Sequence, residues 1–352
     1  MNVVMLTPAF HPRTGGVERH VRRVSEELAA MGHRVTVVTR AVPGAATRER
    51  LGAVDVVRIA GGIRAGITLL SQHRELLRQA HIIHCHDAYP FLYWYAPLQP
   101  ILRLPRAFVT FHGYEAYPPP AEAIRRRRRV RRACAGALCA GGFIPRWYGT
   151  ACDAVTYGGV DAPSQPPEET RREYALFVGR LERDAGILDY IRALGFLKRL
   201  HGIALPLEVC GDGSLRADAE ALARQEGVDA RFCGFVPDPF PHLRRARFAL
   251  TAGYLAMWEA MACGALVVAL YDNPLKEDYL RCFPAVAGES GVVTVCGSPA
   301  EAAQHLAWLL QHPEEMGRRI REGARMAAER SWRRVAEEYL ALWKGGGCAR
   351  QG

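Results

Sequence analysis

Glu259 sits in the run Trp258-Glu259-Ala260-Met261-Ala262-Cys263-Gly264, ahead of the apolar stretch Ala265–Ala269, with no arginine or lysine near it in the chain. A carboxylate in such a run needs a partner. The cis-diol of a ribose supplies two hydroxyl donors, and a bidentate carboxylate accepts both. Thr14-Gly15-Gly16-Val17-Glu18 follows the first strand-like run. Its glycines let backbone amides approach a ligand, and the helix that starts there offers its positive end to an anion. An ordinary tight turn accounts for Gly15 and Gly16 equally well, since the third glycine of the dinucleotide fingerprint is missing. Val178-Gly179-Arg180-Leu181 places an arginine at a strand end. Its fork suits phosphate oxygens, although a surface salt bridge is the commoner fate of an arginine. Cys210-Gly211-Asp212-Gly213 is another strand-end turn. It either brings Gly211 and Gly213 close to a ligand or simply joins a strand to a helix.

These residues need a frame that gathers strand ends. The chain has 352 residues, 49% hydrophobic and 23% charged. That is globular composition with room for two domains, each able to bury a core. In the first half, strand-like runs at Val3–Leu6, Val35–Val38, Val54–Ile59, Ile82–His86 and Phe108–Phe111 alternate with helical patterns. Val17, Val21, Val24 and Leu28 mark the first helix, which Gly32 ends. A second series has strands at Ala175–Val178, Leu205–Val209, Ala230–Cys233, Phe248–Thr251, Leu266–Leu270 and Val292–Val295. Between the two series, Pro163, Pro166 and Pro167 with acidic neighbours read as a linker over Ser164–Glu169. The tail from Pro299 to Trp343 reads as wholly helical. Within it Trp332, Val335, Tyr339, Leu342 and Trp343 fall near one face, which predicts that this last segment packs back onto the first lobe. Strand–helix alternation implies parallel sheets covered on both faces. The expected fold class is α/β, with two Rossmann-like, doubly wound lobes facing a cleft at the carboxyl ends of their strands.

A formal charge of +10 leaves room for a nucleotide, a phospholipid surface or nucleic acid, and no recognisable motif supports the last. The densest charge is Arg125–Arg129 with Arg131 and Arg132. On a helix it would attract anionic lipid at roughly 1 kcal/mol per residue near the surface. A solvated helix has similar weight. Of the ten cysteines, Cys210, Cys233 and Cys263 lie in or beside apolar runs, as buried reduced thiols do. No cysteine pair has the close spacing of a zinc site, so the expectation is a reducing, cytoplasmic compartment and no metal. Met1–Leu6 is strand-like without a basic leader. No run reaches the roughly eighteen apolar residues of a membrane span. Ala88–Leu102, broken by Pro90, Pro97 and Pro100, reads as a buried helix with its flanks.

Taken together the motifs resemble the family 4 retaining glycosyltransferases of the two-lobed GT-B type, over nearly the whole chain. They run from Gly15-Gly16-Val17-Glu18 through His84-Cys85-His86-Asp87, Thr110-Phe111-His112-Gly113 and Gly158-Gly159-Val160-Asp161. They continue through Gly179-Arg180-Leu181, Gly211-Asp212-Gly213, Gly234-Phe235-Val236 and Glu259-Ala260-Met261-Ala262-Cys263-Gly264 to Ser331-Trp332. The resemblance implies an acceptor-side lobe over residues 1–163, a nucleotide-sugar lobe over 164–331, and a helix over 332–352 that returns to the first lobe. It implies that Glu259 holds the donor ribose, Arg180 meets the pyrophosphate, and the backbone at Phe235 and Val236 meets the base. His112 would sit near the reacting sugar, and Tyr254, Leu255 and Ala256 would offer helix-start amides to phosphate or sugar.

The nucleotide sugar is then a co-substrate and no cofactor is implied. The expected acceptor is a glycan or lipid-linked glycan, with a protein or a small molecule left open, and the resemblance implies transfer with retention. The expected place is cytoplasmic, with peripheral contact at the inner membrane face as the option that the arginine run adds. No Asp-x-Asp pair occurs, so phosphate charge falls to arginine and helix dipoles rather than a metal. Two positions depart from the family. Thr251 stands where the family has a second glutamate, and Ala185 where it has a phosphate-facing lysine. A divergent enzyme that uses Lys276 instead, a non-catalytic nucleotide-sugar or partner-binding relative, and a GT-B enzyme of another reaction such as an epimerase all fit, in that order.

Overall fold

The computed structural model describes residues 1–61, 64–161, 174–286 and 291–348. The chain forms two compact units, one of Met1–Gly158 with the segment from Trp332 onward, the other of Gly159–Ser331. The linker expected at Ser164–Glu169 lies outside the described residues. The division falls at Gly158/Gly159, ahead of the expected boundary at 163, because Val160 already belongs to the second unit. It bridges to Ser331, and its amide donates to the Arg330 carbonyl at 2.9 Å.

The first unit holds β1 (Asn2–Leu6), β2 (Arg34–Arg40), β3 (Arg48–Leu51), β4 (Val54–Ile59), β5 (Ile82–His86), β6 (Phe108–Phe111), β7 (Ala137–Ala140) and β8 (Ala154–Thr156). Their order in the sheet is β3-β4-β2-β1-β5-β6-β7-β8. All neighbours pair in parallel except β3, which is antiparallel to β4. Val3, Val4, Met5 and Leu6 are all buried, as expected of a strand covered on both faces. The sheet grows outward from β1 in both directions, so the point where strand order reverses lies between β1 and β5. β3, β7 and β8 escaped the sequence reading. β3 is a polar edge strand, and β7 and β8, of four and three residues, are too short for a strand pattern to register.

The second unit holds β9 (Ala175–Val178), β10 (Leu207–Cys210), β11 (Ala230–Gly234), β12 (Phe248–Leu250), β13 (Leu266–Leu270) and β14 (Thr294–Cys296). All are parallel, in the order β11-β10-β9-β12-β13-β14. Counted from β9 this is the dinucleotide-fold order, with its reversal between β9 and β12. Phe177, Tyr190, Leu194, Leu250, Val268 and Leu306 anchor its core.

The tail is helical as expected but broken twice, and the helix expected at Ala88–Leu102 needs correction. The tail is three helices, Pro299–Gln311, Pro313–Ala328 and Trp332–Cys348. Pro313 has no amide with which to continue the first, and Ser331 is taken up by its bridge to Val160. Ala88–Leu102 is a helical turn at Ala88–Pro90, a π-helical turn at Phe91–Tyr95 and a short helix at Gln99–Leu102. The last helix packs against the helix Gly16–Ala30 and β8, burying Trp332, Val335, Tyr339, Leu342 and Trp343. Among the described residues no helix is long and apolar enough to cross a membrane.

Candidate functional site

In the first unit the chemistry-bearing residues cluster after β1, β5 and β6. Gly15 caps the helix Gly16–Ala30 in an extended conformation without a side-chain cap, so the amides of the first turn are left for other acceptors. A Cβ on Gly15 would meet the flexible Glu18 carboxylate at 2.4 Å, whereas one on Gly16 would meet nothing within 4 Å. Nothing in this unit's own packing requires glycine at 16.

Asp87, which follows β5, has φ 74° and ψ 172°. That region is almost reserved for glycine and costs about 1–3 kcal/mol for other residues. The surroundings enforce it. The Asp87 amide donates to the Thr110 carbonyl at 2.8 Å, and its Oδ1 accepts the His112 amide at 3.0 Å. Burial pushes its carboxyl up to about 6. The sequence displayed Asp87 within a motif without assigning it a role, because backbone strain leaves no mark on residue type.

His112 is 8% exposed, and its Nε2 lies 3.0 Å from Nδ1 of His86. Beside it runs a hydrogen-bond chain whose direction is fixed by its first donor. The Trp343 indole, which only donates, gives its hydrogen to Nδ1 of His84 at 3.0 Å. His84 then donates from Nε2 to Thr110 Oγ1 at 2.8 Å, Thr110 donates to the Tyr339 hydroxyl at 2.9 Å, and Tyr339 donates to Nε2 of His20 at 2.9 Å. The last helix is therefore tied to β5, β6 and the first helix by polar links as well as apolar packing.

Burial lowers the pKa of His84 to about 3 and drives His86 and His112 in the same direction. Unfolded histidine binds its proton near pH 6.5, so acidification below that value favours the unfolded chain. From pH 7 to pH 5 His84 alone removes about 2 kcal/mol. Asp87 works the other way between about pH 4 and 6 and returns about 1 kcal/mol. Three histidines outweigh one aspartate, so the denaturation midpoint is expected to fall between pH 7 and pH 5. A flat profile would contradict the buried neutral cluster.

The arginine run forms the helix Ala121–Ala133, but it is not a uniform basic face. Arg127 is 3% exposed and stacks over Tyr148 at 4.0 Å. It donates to the carbonyls of His112 and Gly113 at 3.0 and 3.1 Å and pairs with Glu115. Arg128 and Arg131 donate to the Tyr148 and Ala151 carbonyls. Part of the run thus supports the His112 loop, a role that spacing could not reveal.

In the second unit Thr251 closes the reversal point. Its hydroxyl donates to the Val178 carbonyl at 3.2 Å, joining the ends of β12 and β9. Gly211 and Gly213 each have a steric reason to be glycine. A Cβ on Gly211 would lie 1.8 Å from the Gly179 carbonyl oxygen, and one on Gly213 would lie 2.6 Å from that of Leu181. Arg180 is exposed and pairs with Asp184 at 2.7 Å. Ala185 ends the turn Arg183–Ala185 and packs against the core.

Lys276 comes from a different element, the helix Pro274–Arg281, yet reaches this turn. It is 8% exposed, and its ammonium donates to the Asp184 carbonyl at 3.0 Å. Burial lowers its pKa, opposed by Asp184 and Asp272 and assisted by Arg180. A lysine ammonium thus lies beside the turn that Ala185 ends.

Glu259 is 3% exposed on the helix Tyr254–Ala262, which begins just past β12. Tyr254 is less free than expected. Its amide donates to the Tyr279 hydroxyl at 3.2 Å, and its ring stacks on Tyr279 at 4.0 Å. Leu255 and Ala256 keep first-turn amides that the helix itself leaves unmatched. Phe235 is 58% exposed just past β11, with Val236 half-buried beside it.

Family models cover both units. Glycosyltransferase Family 4 matches residues 14–144, and Glycosyl transferases group 1 matches residues 161–326. The chain belongs to the family 4 glycosyltransferases, with the GT-B fold. This transferase is 25% identical to the D-rhamnosyltransferase WbpZ of Pseudomonas aeruginosa, over 72% of the chain and 71% of the relative. It is 27% identical to the GDP-mannose-dependent alpha-(1-6)-phosphatidylinositol dimannoside mannosyltransferase of Mycobacterium tuberculosis, over 97% and 95%. The crystal structure of Anabaena HepE in complex with UDP matches with a TM-score of 0.74 at 14% identity, over 97% of the chain and 98% of HepE. The transferase reading prevails over a non-catalytic binding protein.

Proposed function

We propose that this transferase moves a sugar from a nucleoside-diphosphate sugar to a glycan or lipid-linked glycan with retention, and meets the diphosphate with Arg180 and Lys276 rather than a metal. The observation that carries this is the Lys276 ammonium, buried beside the Arg180–Asp184 pair at the turn where the family lysine is replaced by Ala185. A buried ammonium has three hydrogens, and among the described residues its one hydrogen-bond acceptor is the Asp184 carbonyl. Two donors therefore remain for phosphate oxygens. Arg180 exchanges Asp184 for phosphate at little cost, since exposed pairs contribute about 0–1 kcal/mol.

Glu259 takes the ribose hydroxyls, and exposed Phe235 with Val236 meets the base. The amides of Leu255 and Ala256 suit anionic groups of the donor. In the first unit, the open helix start at Gly15 and Gly16 suits an anionic group of its own ligand. His112, steadied by Asp87 and Arg127, is the first unit's candidate for contact with the reacting sugar. The relatives support this reading: one is named as GDP-mannose-dependent with a phosphatidylinositol-linked acceptor, and HepE binds UDP. Exposed Arg125, Arg129 and Arg132 suit an acceptor held at an anionic, cytoplasmic membrane face.

The test is a binding screen of UDP-, GDP- and ADP-sugars. Turnover of each hit is then measured with and without added magnesium or manganese, and with and without anionic vesicles carrying lipid-linked acceptor. One base class is expected to bind and turn over without either cation. Activity only with manganese would overturn the assignment of the diphosphate to Arg180 and Lys276, and no binding of any nucleotide sugar would overturn the donor reading.

A further inference from the structure

We propose that the second unit carries a thiophilic metal site, built from Cys210, Cys233 and His242 beside Glu208, that binds zinc. The ligand atoms of Cys210, Cys233 and His242 all lie within 4.8 Å of one another. Tetrahedral zinc needs sulfur at about 2.3 Å and nitrogen at about 2.0–2.1 Å, which spaces ligands roughly 3.3–3.8 Å apart. Closing the trio around an ion therefore takes shifts of about an ångström or less.

The strand pattern explains how the group assembles. Glu208 and Cys210 are two residues apart on β10 and share one face. The register between β10 and β11 slips after Val209, which pairs with Phe232, while Cys210 pairs with Gly234. Cys233 is the extra residue of that bulge, and bulges re-aim side chains. Its thiol points at Glu208, donating to Oε1 at 3.2 Å. His242 comes from the helix Phe240–Arg245 and sets Nδ1 3.0 Å from the same oxygen. Glu208 is 7% exposed and Cys210 is buried, while Cys233 and His242 are half-buried, so two thiols, an imidazole and a carboxylate converge where an ion can enter from solvent. A cation resolves this arrangement by displacing the two thiol protons and taking two thiolates and the imidazole as ligands, with the carboxylate orienting the histidine or closing the shell.

The ligands lie 23 and 9 residues apart on three elements, so the close cysteine pairs that mark zinc fingers never arise. The site is separate from diphosphate chemistry. Its sulfur and nitrogen donors select zinc over magnesium or manganese. It fastens β10, β11 and the helix Phe240–Arg245 next to Gly211 and Phe235.

The test uses the full chain, purified under reducing conditions, incubated with zinc alone, desalted and assayed for metal. About one retained zinc per chain is expected. In parallel, cobalt should give a thiolate-to-metal charge-transfer band and the intense visible bands of tetrahedral coordination. Cys233→Ser and His242→Ala should each lose retained zinc and change the cobalt spectrum. His305→Ala, which breaks the trio Cys296, Glu301 and His305, should leave both unchanged. Circular dichroism separates loss of metal from loss of fold. If Cys233→Ser or His242→Ala unfolds, zinc-dependent protection of the Cys210 and Cys233 thiols from alkylation in the unsubstituted chain supplies the second reading. No retained zinc, octahedral cobalt without a sulfur band, zinc lost only in His305→Ala, or thiols alkylated equally with and without zinc would each overturn the proposal.

Discussion

Glu259→Ala is expected to weaken binding of the preferred nucleotide sugar by about a hundredfold or more. Two charge-assisted hydrogen bonds from the ribose hydroxyls would be lost, each contributing about 1.5–3 kcal/mol, and each 1.4 kcal/mol is roughly tenfold in affinity. The carboxylate is 3% exposed, on a helix whose Met257, Trp258, Ala260 and Met261 are also buried. Its position is therefore fixed by packing before any ligand arrives, so the alanine variant tests the contact rather than a loop rearrangement. Glu259→Gln keeps the shape and one acceptor oxygen but no charge, and should fall between the two. Calorimetry on variants of unchanged melting temperature decides the matter. An alanine variant that melts normally and binds with native affinity would exclude Glu259 from the ribose site.

The second large effect concerns rate. Lys276→Ala is expected to lower kcat by about a hundredfold, while donor affinity falls much less. Negative charge on the diphosphate grows as the sugar departs, so a buried ammonium stabilises the transition state more than the bound donor. Desolvation strengthens that attraction, and Lys276 is 8% exposed. The Asp184 carbonyl holds the ammonium in place, which limits the reorganisation needed when phosphate arrives. A second substitution sharpens the test. Placing lysine at the family position in the double variant Lys276→Ala, Ala185→Lys should recover part of the lost rate. Equal losses in affinity and kcat would mean that Lys276 only holds the donor. An unchanged kcat would place the charge compensation elsewhere.

What the sequence determined by itself is what depends on local chemistry. Continuous apolar runs such as Val3–Leu6 and Leu266–Leu270 specified buried parallel strands, because both faces of such a strand are covered. Apolar spacing in Trp332–Trp343 specified a helix with one buried face. The ordered motifs from Gly15 to Ser331 specified the family. Short strands such as Ala154–Thr156 were not legible, since three residues carry no readable period and become a strand only when a neighbour offers its hydrogen bonds.

The tertiary structure alone decided which distant residues share a place. Lys276 and Asp184 are 92 positions apart, and Cys233 and Glu208 are 25 apart. It also decided the direction in which a side chain points along a helix. Arg127 and Arg129 are the same residue type in one run, yet Arg127 is buried against Tyr148 and Arg129 is exposed. It decided why glycine is needed. Gly211 faces the Gly179 carbonyl, whereas Gly16 faces open space. Backbone strain at Asp87 was likewise invisible, because φ is imposed by Thr110 and His112 across the sheet and not by the aspartate itself. Residue type carries preference and period, but a long-range pairing or a strained torsion is a property of the closed fold, where packing overrides local preference.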